Sequence, residues 1–139
     1  MGKINTARVL LGGLLAGLII DIGEYILNDP ILGKRWEAAM QSLNRSPIGA
    51  QGIIGFVLLG FVLGILCVWL YAAIRPRYGA GPKTALCAGL AAWAFASFYP
   101  TIGMMGLGLF PRHVLLIAVI WTLVEVPIAT VIGAWLYKE

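Results

Sequence analysis

Charge is scarce in this chain. Only 12% of its 139 residues are Asp, Glu, Lys or Arg, against about 25% in a soluble domain. That scarcity excludes an ordinary soluble fold, and the length leaves room for one compact unit and no second domain. Cysteine is scarce as well. Cys67 and Cys87 lie in separate apolar runs with no C-x-x-C pair; this excludes a thiol–disulfide membrane oxidoreductase and leaves both as small packing residues. There is one histidine, His113, too few for a histidine-rich metal centre or the Glu-x-x-His pairs of di-metal carboxylate bundles. No P-loop, dinucleotide fingerprint or G-x-S-x-G occurs, and Ser97 has no basic partner at its depth. We therefore expect no catalytic residue, no metal and no cofactor. The net charge of +4 is spread over short turns. Nucleic-acid binders gather such charge on one face, so nucleic acid is not an expected partner.

What the chain has in abundance is hydrophobic sequence: 60% of residues, with a mean hydropathy of +0.92. A membrane-spanning helix needs roughly 20 apolar residues. Four runs meet that length: about Ala7–Leu27, Ile48–Ile74, Lys83–Leu107 and His113–Tyr137. The first is too long for a signal h-region, carries acids and lacks an A-x-A-like end, so it reads as a retained helix. Pro47, Pro82 and Pro111 head the other three, at the helix position where a missing N–H costs least, with Ser46 as N-cap of the second. The connections are short, which makes consecutive helices antiparallel neighbours. Lys3, Arg8, Arg75, Arg77, Lys83 and Lys138 fall on one side; Lys34, Arg35, Arg45 and Arg112 fall on the other. The basic bias places both termini in the cytoplasm. The expected fold is an all-α membrane protein, an antiparallel four-helix transmembrane bundle in a bacterial cytoplasmic membrane.

The first connection is the longest. Asp29-Pro30 reads as an N-cap and first helical residue, and Trp36, Met40 and Leu43 recur at i, i+4 and i+7. This predicts a short amphipathic interfacial helix over about 30–43, with Trp36 as anchor. Asn44-Arg45-Ser46 is followed by Pro47 and is a chance match to a glycosylation triplet. Trp69-Leu70-Tyr71 near the end of the second run echoes Trp135-Leu136-Tyr137 at the end of the fourth. A duplicated hairpin accounts for the echo, as does the gathering of aromatics at membrane interfaces.

Three acids interrupt the runs: Asp21, Glu24 and Glu125. Ionisable groups within lipid are costly and mark functional hypotheses. Helices in lipid associate through small residues, and the small residues form stripes. These are Gly13, Gly17, Asp21, Glu24, Asn28; Gly60, Gly64, Cys67, Tyr71; Ala85, Gly89, Ala92, Ala96, Tyr99, Gly103; and Ala118, Thr122, Glu125, Ala129, Gly133. The acids share stripes with the glycines and so point towards other helices. Gly13, Gly17, Gly60, Gly64, Ala129 and Gly133 are the expected packing positions. Counting the helix rise from the cytoplasmic end puts Asp21 at about 21 Å, Glu24 at about 25 Å, Glu125 at about 18 Å and Tyr99 at about 24 Å. Pro100 and Pro127 should loosen their helices at that depth. Asp21, Glu24, Tyr99 and Glu125 are thus the candidate layer for a proton, an ion or a polar ligand. As hard oxygen donors the acids would suit Mg, Ca or Mn, but His113 lies too far out to join them. The structural alternative has protonated acids bonding across helices to Tyr99, Thr122 or Asn28, or Lys34 or Arg35 folding back onto Glu24.

Val9-Leu-Leu-Gly-Gly-Leu-Leu-Ala-Gly17, Asp21-Ile-Gly-Glu24, Trp69-Leu-Tyr71 with Arg75-Pro-Arg77, and Glu125-Val-Pro127 with Gly133-Ala-Trp-Leu-Tyr137 together resemble an uncharacterised family of small four-helix bacterial inner-membrane proteins. The resemblance covers nearly the whole chain. It implies the four-helix fold and no activity, substrate or catalytic residue.

Two functions are open. One is a non-enzymatic assembly unit, either a homo-oligomer or an accessory subunit of a larger membrane complex, with the bilayer and other membrane subunits as partners. The other is a minimal proton, cation or small-solute transporter or channel that uses Asp21 and Glu125. An enzyme acting on lipid or quinone is a distant third.

Overall fold

A computed structural model of the chain describes residues 3–138. No strand occurs among them. Their helices are α1 (Thr6–Ile26), α2 (Gly33–Ser42), α3 (Ala50–Tyr78), α4 (Pro82–Trp93), α5 (Tyr99–Leu107) and α6 (Arg112–Trp135). Wide π-helical turns at Leu27–Ile31 and Ala94–Phe98 join α1 towards α2 and α4 to α5. Four helical stretches are long and apolar enough to cross a membrane: Thr6–Ile31, Ala50–Tyr78, Pro82–Leu107 and Arg112–Trp135.

The termini follow from local chemistry. Asn5 caps α1, its side chain accepting from the Arg8 N–H at 3.2 Å. That bond satisfies one of the orphan donors of the first turn. At the end of α2 the Arg45 N–H reaches the Met40 carbonyl and the Asn44 N–H the Gln41 carbonyl, while Asn44 takes φ 53°. This is the Schellman closure, with Asn as the left-handed residue. Asn44 is therefore a helix terminator. α3 runs three residues past Arg75, so its turn to α4 shrinks to Gly79-Ala80-Gly81, with φ of 85° and 134° at the two glycines.

Two expected helix starts are displaced. α3 begins at Ala50 with Gly49 before it, so Ser46-Pro47 lies outside the helix. Nothing packs on residues 44–54, which are all exposed, and glycines at 49 and 52 weaken the first turn. Asp29-Pro30 does not start α2. It sits within the first π turn, where the Leu32 N–H reaches back five residues to Leu27. Pro30 has no N–H to continue the α pattern, and the helix resumes only at Gly33.

Packing is concentrated in the half of the molecule that holds the chain termini. α1 and α4 each pack on both α3 and α6, and Val9, Ala16, Val68, Ala72, Ala88 and Ala129 are buried between them. Small residues make this possible. A Cβ on Gly64 would strike the backbone of Gly13 and Gly17, and one on Gly12 the carbonyl of Gly133. Cβ atoms on Gly17 and Gly89 would lie 2.6 Å from the Cα atoms of Phe61 and Pro127. At the same end Tyr71 and Tyr137, the matching tyrosines of the Trp-Leu-Tyr echo, meet edge to face at 5.9 Å, and their companions Trp69 and Trp135 point outward.

The other half is different. No residue of α5 is buried, and Ala50–Leu59 of α3 has none either. There the compact part is a small cluster of Leu27, Leu32 and Val114, flanked by Trp36 and Trp121. Trp36, expected to anchor α2 in lipid, packs edge-on against Phe110 at 5.7 Å.

Candidate functional site: a carboxylate layer between α1, α3 and α6

α1 carries Asp21 and Glu24 to two different neighbours. One helical turn spans 3.6 residues, so positions three apart lie on adjoining faces. Asp21 meets α3: its Oδ1 presses on Gly60, where a side chain would leave no room. Glu24 meets α6, and its carboxyl lies within hydrogen-bonding reach of the Glu125 carboxyl. Glu125 fits because Gly23 has no Cβ; an added one would collide with Glu125 Oε1. Asp21 is close enough to interact electrostatically with both glutamates. The three acids therefore form one group, with Glu24 and Glu125 as the contacting pair. A carboxyl–carboxyl hydrogen bond needs a proton on one partner.

Each glutamate has a further donor four residues away on its own chain. Asn28 Nδ2 donates to Glu24 Oε2 at 2.7 Å, and Trp36 Nε1 donates to Asn28 Oδ1 at 2.9 Å. Trp121 Nε1 donates to Glu125 Oε1 at 3.1 Å. The resulting chain is Trp36–Asn28–Glu24–Glu125–Trp121, linking α2, α1 and α6. Asn28 as a partner for an acid was among the expectations; the two tryptophans were not. The signal for Trp121 was present, since W-x-x-x-E on a helix puts the indole and the carboxyl on one face.

Two buried oxygens are left over. Asp21 Oδ2 and Glu125 Oε2 have no hydrogen-bond donor among the described residues. Buried polar atoms are satisfied in the great majority of cases, so these two oxygens stand out. No group of three or more His, Cys, Asp or Glu is placed to hold a metal among the described residues.

No family model, curated protein or solved structure matches the chain. The residues themselves carry the functional argument.

Tyr99 does not belong to the layer. It is 78% exposed, although the i+3/i+4 stripe had turned it inward. The stripe holds for Ala85 and Gly89, which are buried, and fails from Ala96 onward. Between them lies the π turn Ala94–Phe98, whose last bond runs from the Tyr99 N–H to the Ala94 carbonyl. One extra residue in a turn rotates everything beyond it by about 100°. Pro100 explains the turn, because it cannot donate to the carbonyl four residues back. Pro127 behaves otherwise. α6 runs through it unbroken, and Pro127 is buried where Gly89 lets α4 approach its Cα.

Other expected partners are also engaged elsewhere. Thr122 Oγ1 bonds Ser97 Oγ at 2.6 Å and donates to carbonyls one turn back, so it clips the π turn to α6. Trp93 Nε1 adds a second clip to the Val119 carbonyl at 3.2 Å. Lys34, Arg35 and His113 are exposed. Gly13, Gly17, Gly60, Gly64, Ala129 and Gly133 all lie buried at helix contacts.

Proposed function

We propose that the chain is an assembly unit of a bacterial cytoplasmic membrane: an antiparallel four-helix transmembrane bundle, α2 lying in the outer interface, both termini cytoplasmic. It works as a homo-oligomer or as an accessory subunit of a larger membrane complex, without enzymatic activity. One contrast carries the reading. Every helical glycine of the packed half is pressed against a neighbouring helix, whereas Gly55, Gly103 and Gly106, also on helices, have nothing within 4 Å of an added Cβ. In lipid, glycine on a helix face allows another helix to approach closely, and glycine weakens a helix by about 0.5–1 kcal/mol relative to alanine. Open glycines on the least packed stretches are accounted for by a contact with another chain. The test is the mass of the detergent-solubilised particle with Gly55→Leu as the variant. The expected result is a multimer, or a complex with a co-purified membrane subunit, that falls apart to a folded monomer on substitution. A wild-type particle that is strictly monomeric and alone defeats the proposal.

A second reading is favoured by the two orphaned oxygens. Here Asp21 and Glu125 pass a proton, cation or small polar solute, with Glu24 as the supporting acid. Proteoliposomes made with wild type, Asp21→Asn and Glu125→Gln test it. Flux that falls at least about tenfold in both variants, the scale of losing a charged hydrogen bond, supports the role; equal flux in all three removes it.

A further inference from the structure

The bonds that leave Glu24 run on to α2. Asn28 Nδ2 donates twice to Glu24, to its carbonyl at 2.9 Å and to Oε2 at 2.7 Å. Trp36 Nε1 on α2 donates to Asn28 Oδ1 at 2.9 Å, and the Trp36 ring packs on Phe110, just before α6. The position of α2 is thus tied to the Glu24 carboxyl on one side and to the start of α6 on the other. α1 and α6 meet at the same level, where Glu125 lies against Gly23 and beside Glu24. Asn28 is exposed, so the network reaches the surface one side chain away from Glu24.

No cation relieves the contact between the two glutamates. α1 contributes Asp21 beside Glu24, and α6 contributes Glu125 itself, while Arg112 and His113 at its start are exposed. α2 brings Lys34, Arg35 and Glu37, and the π turn before it brings Asp29, all exposed. α3 presents Gly60 and has no titratable side chain between Ala50 and Leu66. Tyr25 on α1 and Tyr99 on α5 are 66% and 78% exposed. Among the described residues, the groups that act on the pair are the three carboxyls, Asn28 and Trp121. With both glutamates charged, like charges stand in contact without a counter-ion, and separation is what lowers their repulsion. The two halves of the molecule resist separation unequally. In the terminal half, backbone meets backbone at Gly12 and Gly133 and at Gly64 and Gly17. At the acids' end the resistance is Leu27, Leu32 and Val114, with Trp36 on Phe110, and α5 adds no buried residue.

We infer that the Glu24–Glu125 contact is a proton-dependent latch: it holds α1 and α2 against α6 while the pair shares a proton, and it lets that end open when the proton is lost. The latch stands on the geometry of the pair and on neither functional reading. In a full chain with Cys67→Ala and Cys87→Ala, spin labels at Gln41→Cys on α2 and Leu116→Cys on α6, both exposed positions, measure it by double electron–electron resonance in detergent. The pH is raised from the ordinary glutamate value towards the ordinary tyrosine value, about 4.3 to about 10. The 41–116 distance should lengthen reversibly by about 4–6 Å, the range over which neighbouring charges act on each other. Glu125→Gln leaves one carboxyl and an amide that can donate to it, so the distance should stay short throughout. Glu37→Gln removes an exposed carboxyl outside the pair and should leave the lengthening intact. A second label pair, Leu11→Cys and Leu86→Cys on the exposed faces of α1 and α4 in the terminal half, should keep its distance. A 41–116 distance that never changes, a change that persists in Glu125→Gln or is lost in Glu37→Gln, or one that the 11–86 pair shares, would overturn the latch.

Discussion

A methyl group added at Gly64 meets the nitrogen of Gly17 and the carbonyl of Gly13. Those are backbone atoms of α1 and cannot rotate away, so α1 and α3 must part. The same methyl at Gly55 meets nothing within 4 Å. The two substitutions should therefore have opposite signs. Gly64→Ala is expected to destabilise the fold by about 1–3 kcal/mol, the usual scale of overpacking. Within the single chain Gly55→Ala should be neutral or stabilising by up to about 0.5–1 kcal/mol through helix propensity, while it weakens the proposed contact with another chain. Thermal melting of the detergent-solubilised chain, followed by far-ultraviolet circular dichroism, compares them. A Gly64→Ala protein as stable as wild type would show that the α1–α3 contact is looser than the fold requires. Glu125 depends on Gly23 in the same way, so the carboxylate layer is as much a consequence of missing side chains as of present ones.

At the scale of elements, the sequence was readable wherever helical period and packing agree. The stripe on α1 and its partners on α3 and α6 were legible because an unbroken α-helix keeps positions i, i+3 and i+4 on one face. The stripe on the third run failed at a definite place. Ala85 and Gly89 obey it, and Tyr99 does not, because the π turn Ala94–Phe98 rotates the face in between. Pro100 announced a disturbance, but a proline can kink, end or widen a helix, and the residue count alone does not choose. Pro127 shows the other outcome, a proline inside an unbroken helix, packed where Gly89 lets α4 approach closely. The acid layer was legible in its members and not in its pairing. Depth estimates put Asp21, Glu24, Tyr99 and Glu125 in one layer and the transporter reading singled out Asp21 and Glu125, whereas it is Glu24 that comes beside Glu125 and Asp21 that meets Gly60. A position three residues along the same helix lies on an adjoining face, and which neighbour that face finds is a tertiary fact.

For the whole molecule, the distribution of charge and the distribution of packing point the same way. Among the described residues, the half with the chain termini is tightly packed, carries six basic residues and holds the tyrosine pair; the half with α2 and α5 is loosely packed and carries the other four basic residues. α3, with 29 residues, extends about 43 Å, longer than a hydrocarbon core of about 30 Å. In a bilayer its two ends would reach both interfaces, Ala50 on one side and Tyr78 on the other. Cysteine labelling makes this a test of topology. In a chain with Cys67→Ala and Cys87→Ala, Gln41→Cys on exposed α2 and Arg77→Cys at the α3 end both present accessible thiols. With termini inside, a membrane-impermeant maleimide added to spheroplasts should label position 41 and leave position 77 unmodified until the membrane is permeabilised. The reverse pattern would invert the topology and put the Arg77 end of α3 outside. Labelling of both positions from outside would mean that α3 does not cross at all. The six basic residues at the terminal end favour the first pattern, because each is held back from translocation by the same bias that orients short loops.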